Sequence, residues 1–351
     1  TRFCQVTGVQ TCALPILPKP ITITDVAIYA GVSRATAGRV IGNYGIVSDE
    51  ARKKVTDAIA ALNYQPNSFA QGLRNRESKT IAVVLGSIKN SYCNSLVYAI
   101  EKEAAENGYN VLICNTQENV AKERLQLQSI YGKMVDGICL ISAFSRGSFI
   151  PKRDRFLYDG EVPLIVLDRE IKGLEMELIQ STNKKSSYDA TSYLISAGHT
   201  KIGVIGTKEY STVIDRVSGY KKALRNYNIP VDESLISYGD YFEEKMGAVL
   251  TNELLRRHPE MTALYVLNDS FCPGVLIELK KWGLKIPDDL SLLVWDDSEL
   301  NELHEITAVV QQVDETGKRA VQRLLSLIKN PELRRERQKV LLPTELIVRA
   351  S

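Results

Sequence analysis

Histidine and tryptophan are scarce, with three of the first and two of the second in 351 residues, and the six cysteines are scattered. His199, His258 and His304 fall in no H-E-x-x-H pattern, and neither a G-x-S-x-G elbow nor a G-x-x-x-x-G-K-[ST] phosphate loop occurs, so common hydrolytic and phosphoryl-transfer machinery is missing. His199 follows an Ala-Gly helix stop, where a cation or hydrogen bond suits the terminal carbonyls, and is not read as a base. The stretch from Gly203 to Gly206 is too short for a dinucleotide fingerprint. Cys4, Cys12, Cys93, Cys114, Cys139 and Cys272 include no C-x-x-C pair, which argues against a metal site or disulfide framework and for a reducing cytoplasm. No apolar run approaches the ~20 residues that span a bilayer. These absences lead us to expect no enzyme, no metal, no cofactor and no membrane partner.

What is present is ordinary for a globular protein of two or three domains: 44% hydrophobic residues, 25% charged and a net charge of +2. The charge is uneven. Between Lys19 and Lys79 nine lysines and arginines face five acids, so the basic excess gathers at one end. That end also holds the most informative segment, Thr22 to Asn43, which reads as two short helices joined by a tight turn at Gly31. Thr22 and Asp25 form a capping box, and Val26, Ala27 and Ala30 make an apolar stripe. Ser33 caps a second helix that turns Arg34, Ala35, Thr36 and Arg39 outward while Val32, Ala37 and Val40 face in, the layout of a helix that reads a DNA groove. The alternative is a small helical hairpin with a solvated arginine face.

Ser48, Asp49 and Glu50 open a third helix whose Val55, Ile59 and Leu62 share one face, enough to close a small core. Residues 68–76 are basic and broken by Gly72, a segment expected to be poorly ordered alone and able to fold on a partner, with Leu73 as an apolar wedge. Beyond Lys79 apolar runs alternate with amphipathic stretches. IAVVLGS, YNVLICNT, VDGICLIS and PLIVLD read as buried parallel strands, with helices at 94–107 and 120–133. KIGVIGT, LISYGDY, TALYVLND and LSLLVWDD repeat the scheme, with helices near 187–197, 217–227, 242–257 and 272–282. Two doubly wound halves of this kind hold a ligand at the carboxyl ends of their strands.

From Ile21 onward the strings TITDVAIYAGVS, VSDEARKKVTDAIAALNYQPN, KTIAVVL, MVDGICLIS, VPLIVLDREI, AGHTKIGVIG, KIPDDLSLLVWDD and LLPTELIVR resemble the lactose-repressor/galactose-repressor (LacI/GalR) family of bacterial transcription regulators, in family order and spacing. The resemblance implies an α/β chain: an all-α helix-turn-helix headpiece at 19–65, a hinge helix or linker at 66–79, and an effector-binding and dimerisation core at 80–351. That core would be two-lobed and periplasmic-binding-protein-like, built of two doubly wound parallel sheets. Lobe 1 is expected at about 80–180 and 310–339, and lobe 2 at about 181–309 and 340–351. A homodimer would set paired headpieces on a palindromic double-stranded operator.

Carried over, Arg34, Ala35 and Arg39 would meet major-groove bases and Thr36 the backbone, while Leu73 matches a leucine that pries open a minor-groove step. Thr22, Ser33, Asn43, Asn67 and Ala70 complete the expected DNA contacts. The strand-end residues Tyr92, Cys93, Asp168, Arg169, Tyr210, Thr212, Arg216, Tyr241, Asp269, Trp295 and Asp296 match effector-contact positions, and their charged forks and aromatic faces suit a sugar or sugar-like metabolite. Three departures stand out. Ala37-Gly38 replaces the family's usual Val-Ser, which implies a weaker headpiece; Tyr92-Cys93 replaces an aromatic pair; and Val294-Trp295 places a larger ring near the cleft.

Residues 1–18 lack an initiator methionine and any period, and are set aside as a non-native tail; a secretory signal is disfavoured by the prolines that interrupt TCALPILP. The expected mechanism is allosteric: ligand closes the cleft, rotates one lobe against the other and changes operator affinity, with coupling of about 1–3 kcal/mol and a sign that the sequence leaves open. The rival, a periplasmic-type sugar-binding protein, would have no use for residues 21–75.

Overall fold

The computed structural model describes residues 21–65, 77–133, 135–144, 149–207, 210–240 and 243–351. The hinge candidates Asn67, Ala70 and Leu73, the effector candidate Tyr241 and the tail 1–18 lie outside the described residues. The chain divides into two compact units, Thr1–Ser78 and Lys79–Ser351.

Among the described residues the first unit holds three helices: α1 (Ile23–Ala30), α2 (Arg34–Ile41) and α3 (Asp49–Ala61). Each start is set by a polar side chain that satisfies an otherwise orphan N–H. Thr22 completes its capping box with Asp25, and Ser33 and Ser48 accept from the amides of Thr36 and Ala51. Each stop is set by a left-handed residue. Gly31 (φ 65°) ends α1, and Asn43 (φ 49°) and Asn63 (φ 46°) follow α2 and α3, each succeeded by an N–H that reaches back to a carbonyl of the last turn. Val26, Ala27, Ala37, Val40, Val55 and Ala58 are buried together, as the spacing predicts.

The second unit holds two six-stranded sheets. In chain order its elements are β1 (Thr80–Leu85), α4 (Ser91–Glu106), β2 (Asn110–Asn115), α5 (Val120–Gly132), β3 (Gly137–Leu140), β4 (Leu164–Leu167), β5 (Glu177–Ser181) and α6 (Asn183–Ser196). They continue with β6 (Ile202–Thr207), α7 (Ser211–Asn226), β7 (Ile236–Gly239), α8 (Glu244–Arg257), β8 (Ala263–Val266), α9 (Cys272–Trp282), β9 (Ser291–Trp295), α10 (Glu299–Leu303), β10 (Thr307–Gln311), α11 (Val313–Lys329), β11 (Lys339–Leu342) and β12 (Thr344–Ile347). The sheet orders, β11-β5-β4-β3-β1-β2 and β12-β10-β9-β8-β6-β7, repeat one topology. Each places a switch point beside its first strand, where a ligand crevice is expected.

Alternate residues of each inner strand feed different cores, which explains why these strands read as continuous apolar runs. Ile81, Val83 and Leu85 meet Leu96 and Ile100 of α4 and Leu324 of α11, while Ala82 and Val84 meet Leu127 and Ile130 of α5. In the second sheet Val204 and Tyr265 face α6 and α7, and Ile205, Leu264 and Val266 face α8 and α9.

Three features depart from the sequence reading. The second sheet is not wholly parallel, because β12 pairs antiparallel with β10. The 340–342 segment, expected in the second lobe, belongs to β11 and pairs parallel with β5 in the first. Both differences follow from the direction of the chain. Strands β5 and β11 each leave the first lobe at their carboxyl ends and so run side by side, whereas β10 leaves the second lobe where β12 enters it. The helices α4, α6 and α7 also begin three to six residues earlier than their apolar periods suggest, because their first turns are polar.

Helix α7 carries two of the expected effector residues, Thr212 and Arg216, with a third, Tyr210, as its N-cap, and its seat is set by Gly219. A Cβ there would overlap the Lys184 carbonyl and lie 2.8 Å from the Tyr188 amide on α6. Helix propensity alone makes Gly219→Ala stabilising by about 0.5–1 kcal/mol; the contact reverses the sign, and we expect a loss of about 1–3 kcal/mol in urea unfolding. A gain in stability would show that α6 and α7 are not seated this closely.

Candidate functional site

In the three-helix unit, Arg34, Ala35 and Arg39 are exposed and Thr36 is half-buried. Together they form an exposed face at the amino-terminal end of α2, with Arg39 one turn on. Thr22 and Ser33 have structural duties as caps, the Ser33 hydroxyl lying 2.9 Å from that of Thr36. Asn43 ends α2, and its side chain lies 3.4 Å from the Arg52 guanidinium. Ala37 is fully buried, whereas a Cβ on Gly38 would meet only the Tyr44 hydroxyl at 3.4 Å and Ile23 Cδ1 at 3.7 Å. The backbone at 38 therefore has room for a serine. One residue was missed by the sequence reading: Ile46, in the loop before α3, is 99% exposed.

In the second unit most of the expected effector residues converge at the strand ends. Asp168 and Asp296 occupy corresponding places after β4 and β9. Both adopt left-handed backbone (φ 64° and 72°), and their amides donate to Ile179 O and Val309 O at 2.9 and 3.0 Å. This repeated geometry turns both carboxylates out of their sheets into the crevice. Asp269, at the end of the loop after β8, accepts a short hydrogen bond from the Ser91 hydroxyl at the start of α4, and beside it Asn90 Nδ2 donates to Ser270 Oγ at 2.9 Å. These two contacts join the lobes.

Arg216 of α7 is buried beneath the acids. Its Nε donates to Asn183 Oδ1 at 2.8 Å and its Nη1 to Leu267 O at 2.7 Å, while its guanidinium lies 3.9 Å over the Trp295 ring. Burial raises the pKa values of Asp168, Asp269 and Asp296, the last to about 7, and the field of Arg216 opposes the rise at each. Tyr92, half-buried beside Asp168 and Asp296, is pushed well above the ordinary phenol value by the same desolvation.

Two expected residues have other surroundings. Trp295 is fully buried in the core beside α6 and α7, and its ring reaches the crevice residues only through Arg216, which lies on its face. Cys93 is packed into the core under α4, and desolvation raises its thiol to about 12. Thr212 is buried in the first turn of α7.

Arg169 turns to a partner that the sequence reading missed. It is held in a two-pronged ion pair by Glu118 (2.6 and 3.1 Å), donates to Ser142 O at 3.2 Å and lies 4.2 Å over the ring of Tyr210 from the other lobe. The Tyr210 hydroxyl donates to Glu118 Oε2 at 3.3 Å, and the neighbouring Ser211 hydroxyl accepts from the Glu170 amide at 3.1 Å. Glu118 reaches this position from a left-handed backbone (φ 53°), and its carboxylate fills the space over Gly86, where a Cβ would displace it. Behind them Glu123 accepts from the Ala143 amide at 2.5 Å and from the Ser142 and Tyr158 hydroxyls, which fixes the loop whose carbonyl holds Arg169. A glutamate in a helix's first turn resembles any dipole-favoured acid, so no pattern in the chain singled it out.

A three-helix unit with an exposed recognition face, joined in one chain to a two-lobed unit with a polar crevice, defines a ligand-responsive DNA-binding regulator. The family model for bacterial regulatory proteins of the lacI family matches residues 22–67, and that for the periplasmic binding protein-like domain matches residues 191–351. The HTH-type transcriptional regulator DegA of Bacillus subtilis is 32% identical over 333 residues, covering 94% of this chain and 97% of its own. The ribose operon repressor of Haemophilus influenzae is 34% identical over 317 residues, 88% of this chain and 92% of its own. Among solved structures, the lac repressor dimer bound to operator and the anti-inducer ONPF aligns at a TM-score of 0.82 with 26% identity, covering 95% of this chain and 99% of that one. The chain belongs to the LacI family of bacterial transcription regulators.

Two substitutions test the crevice. Glu118→Gln removes the two-pronged carboxylate from a buried guanidinium and leaves it with the more distant Asp168, 3.6 Å from Nε; we expect it to destabilise the second unit by about 3 kcal/mol and to speed hydrogen exchange at residues 210–216. Unchanged exchange would show that the ion pair does not hold the lobes together. Burial raises Glu123 from the ordinary 4.5 to about 7, so the folded state keeps a proton that the unfolded chain has released, and stability falls as pH rises between those values. Glu123→Gln should remove up to about 1.4 kcal/mol of that loss per pH unit, seen as a flatter unfolding profile from pH 4.5 to about 7. Parallel wild-type and variant profiles would contradict the assignment.

Proposed function

We propose that this regulator is a homodimeric repressor that reads a palindromic operator through Arg34, Ala35, Thr36 and Arg39 and binds a sugar-like effector between its lobes. The observation that carries the effector reading is the convergence of Asp168, Asp269 and Asp296, each at least 94% buried, on the crevice above Arg216. Carboxylates placed in this way match the hydroxyl pairs of a polyol. Similar proteins support the class: CelR was solved with cellobiose (TM-score 0.70, 26% identity), and a LacI family regulator from Enterococcus faecium with ribose (TM-score 0.66, 25% identity).

The dimer face that we propose follows α4 and the sheet edges, where Tyr98 (66% exposed) and Ile113 (49%) in the first lobe and Val249 and Trp282 in the second leave apolar surface in water. The hinge contacts of Asn67, Ala70 and Leu73, an effector role for Tyr241 and action in the cytoplasm, where the operator would be, complete the proposal. Ligand-driven rotation of the lobes would carry the signal, worth about 1–3 kcal/mol of operator affinity.

The test is selection from a palindromic operator library at several salt concentrations, using a chain that begins at Lys19 and a control that begins at Lys79. Sequence-selective binding should need residues 19–78 and weaken with salt. Selective binding by the control, or by neither chain, would overturn the operator reading. On the selected operator, Ala37→Val with Gly38→Ser should bind several-fold more tightly, since replacing an interior glycine stabilises α2 by about 0.5–1 kcal/mol. No gain would mean that Ala37-Gly38 does not weaken the headpiece.

A further inference from the structure

We propose that the interlobe cleft takes a ligand that donates hydrogen bonds and carries no negative charge, an uncharged or ammonium-bearing saccharide, and rejects phosphate esters and sugar acids. The inference rests on the effector-site reading above and adds the charge of the ligand, which that reading leaves open.

The features that would most attract an anion already face partners within the protein. Arg169 is neutralised by both oxygens of Glu118 and covered by Tyr210. Arg216 places Nε on Asn183, Nη1 on Leu267 O and its face on Trp295, and its charge is opposed by the fields of Asp168, Asp269 and Asp296. The amino terminus of α4, the usual place for a phosphate on such a fold, has Asn90 Oδ1 on the Cys93 amide and the carboxylate of Asp269 on its first residue, Ser91. Helix α9 opens on Cys272-Pro273, and the proline has no N–H to offer.

The surplus is on the acceptor side. Asp168 Oδ1 and Asp269 Oδ1 are buried and have no hydrogen-bond partner among the described residues; Trp295 Nε1 is an unpartnered donor nearby, in the core under Arg216. Asp168, Asp269 and Asp296 all share the field of Arg216; only Asp168 also has Arg169, whose Nε lies 3.6 Å away and which is already paired with Glu118, and Asp296 feels both of the other acids. Hydroxyl and ammonium protons satisfy such oxygens. A phosphate or carboxylate would bring further acceptors and negative charge to a site in which burial already works against ionisation.

The experiment is calorimetric and thermal-shift titration of the full chain at pH 7.5 with D-ribose, D-glucose, D-galactose, cellobiose, D-glucosamine, D-ribose 5-phosphate, D-glucose 6-phosphate and D-gluconate. We expect at least one uncharged or amino sugar to bind, and its phosphorylated or acidic counterpart to bind at least ~100-fold more weakly, the scale of an unrelieved like-charge contact. In Asp168→Asn and Asp269→Asn, checked for folding by their unliganded melting temperatures, that discrimination should shrink by about tenfold or more. Binding of a phosphate ester or gluconate as tight as its neutral parent, lost in Arg216→Met, overturns the charge rule and leaves the effector site standing. No binding by any of the eight overturns the saccharide reading itself. Unchanged discrimination in both asparagine variants shows that these carboxylates do not set it.

Discussion

The chain crosses between its two lobes three times, at residues 181–183, 311–313 and 342–344, and the rest of the core depends on that constraint. The first crossing leaves the carboxyl end of β5 and the second leaves the carboxyl end of β10, so the edge of each sheet that binds ligands must border the other lobe. The crossings are tied to one another: Ser181 Oγ donates to Gln311 Oε1 at 2.5 Å, and the Thr182 amide donates to Leu342 O at 2.9 Å. Lobes joined in this way can rotate but cannot part. Parallel pairing of β5 with β11 and antiparallel pairing of β10 with β12 are consequences of the same routing.

Burial of charge is the second organising force. The crevice gathers acids that would each prefer water and offsets them with two arginines, whose positions come from different elements. Gln311, at the second crossing, donates to Asp296 Oδ1 at 2.6 Å and accepts from Ser181, so the hydrogen bonds that hold the hinge continue into the site. A ligand that rearranges Asp296 therefore acts on the hinge through a two-bond path. Glu118, Arg169 and Tyr210 form a separate contact between the lobes, on the other flank of the crevice. A closed arrangement supported at two places can be biased by a ligand that strengthens either one.

The recognition helix is short, and its order depends on caps more than on core. Eight residues with one buried valine and one buried alanine give α2 little packing energy, so Ser33 at its start and Asn43 at its end carry a large share of its definition. Gly38 in its middle subtracts from that. Arg34 and Arg39 are thus exposed on a helix defined mainly by its ends.

Local rules were enough for the headpiece and for the inner strands. Capping residues, glycine turns and apolar periods act within a few residues, so Thr22, Gly31, Ser33 and the runs at 81–85, 202–207 and 291–295 declare their roles in the chain itself. The strand-end aspartates were legible for the same reason, since Asp168 and Asp296 follow an apolar run directly and Asp269 comes one residue later. What the chain could not show is set by long-range geometry. The pairing of β11 and β12 depends on which lobe the chain is leaving, the partnership of Glu118 with Arg169 joins residues 51 apart, and the burial of Trp295 depends on Arg216 arriving from α7. The sequence determined that there would be a DNA-reading headpiece and a two-lobed core, because those are decided by neighbours along the chain; the tertiary structure alone decided which charges meet in the cleft, because that depends on where separate elements bring them.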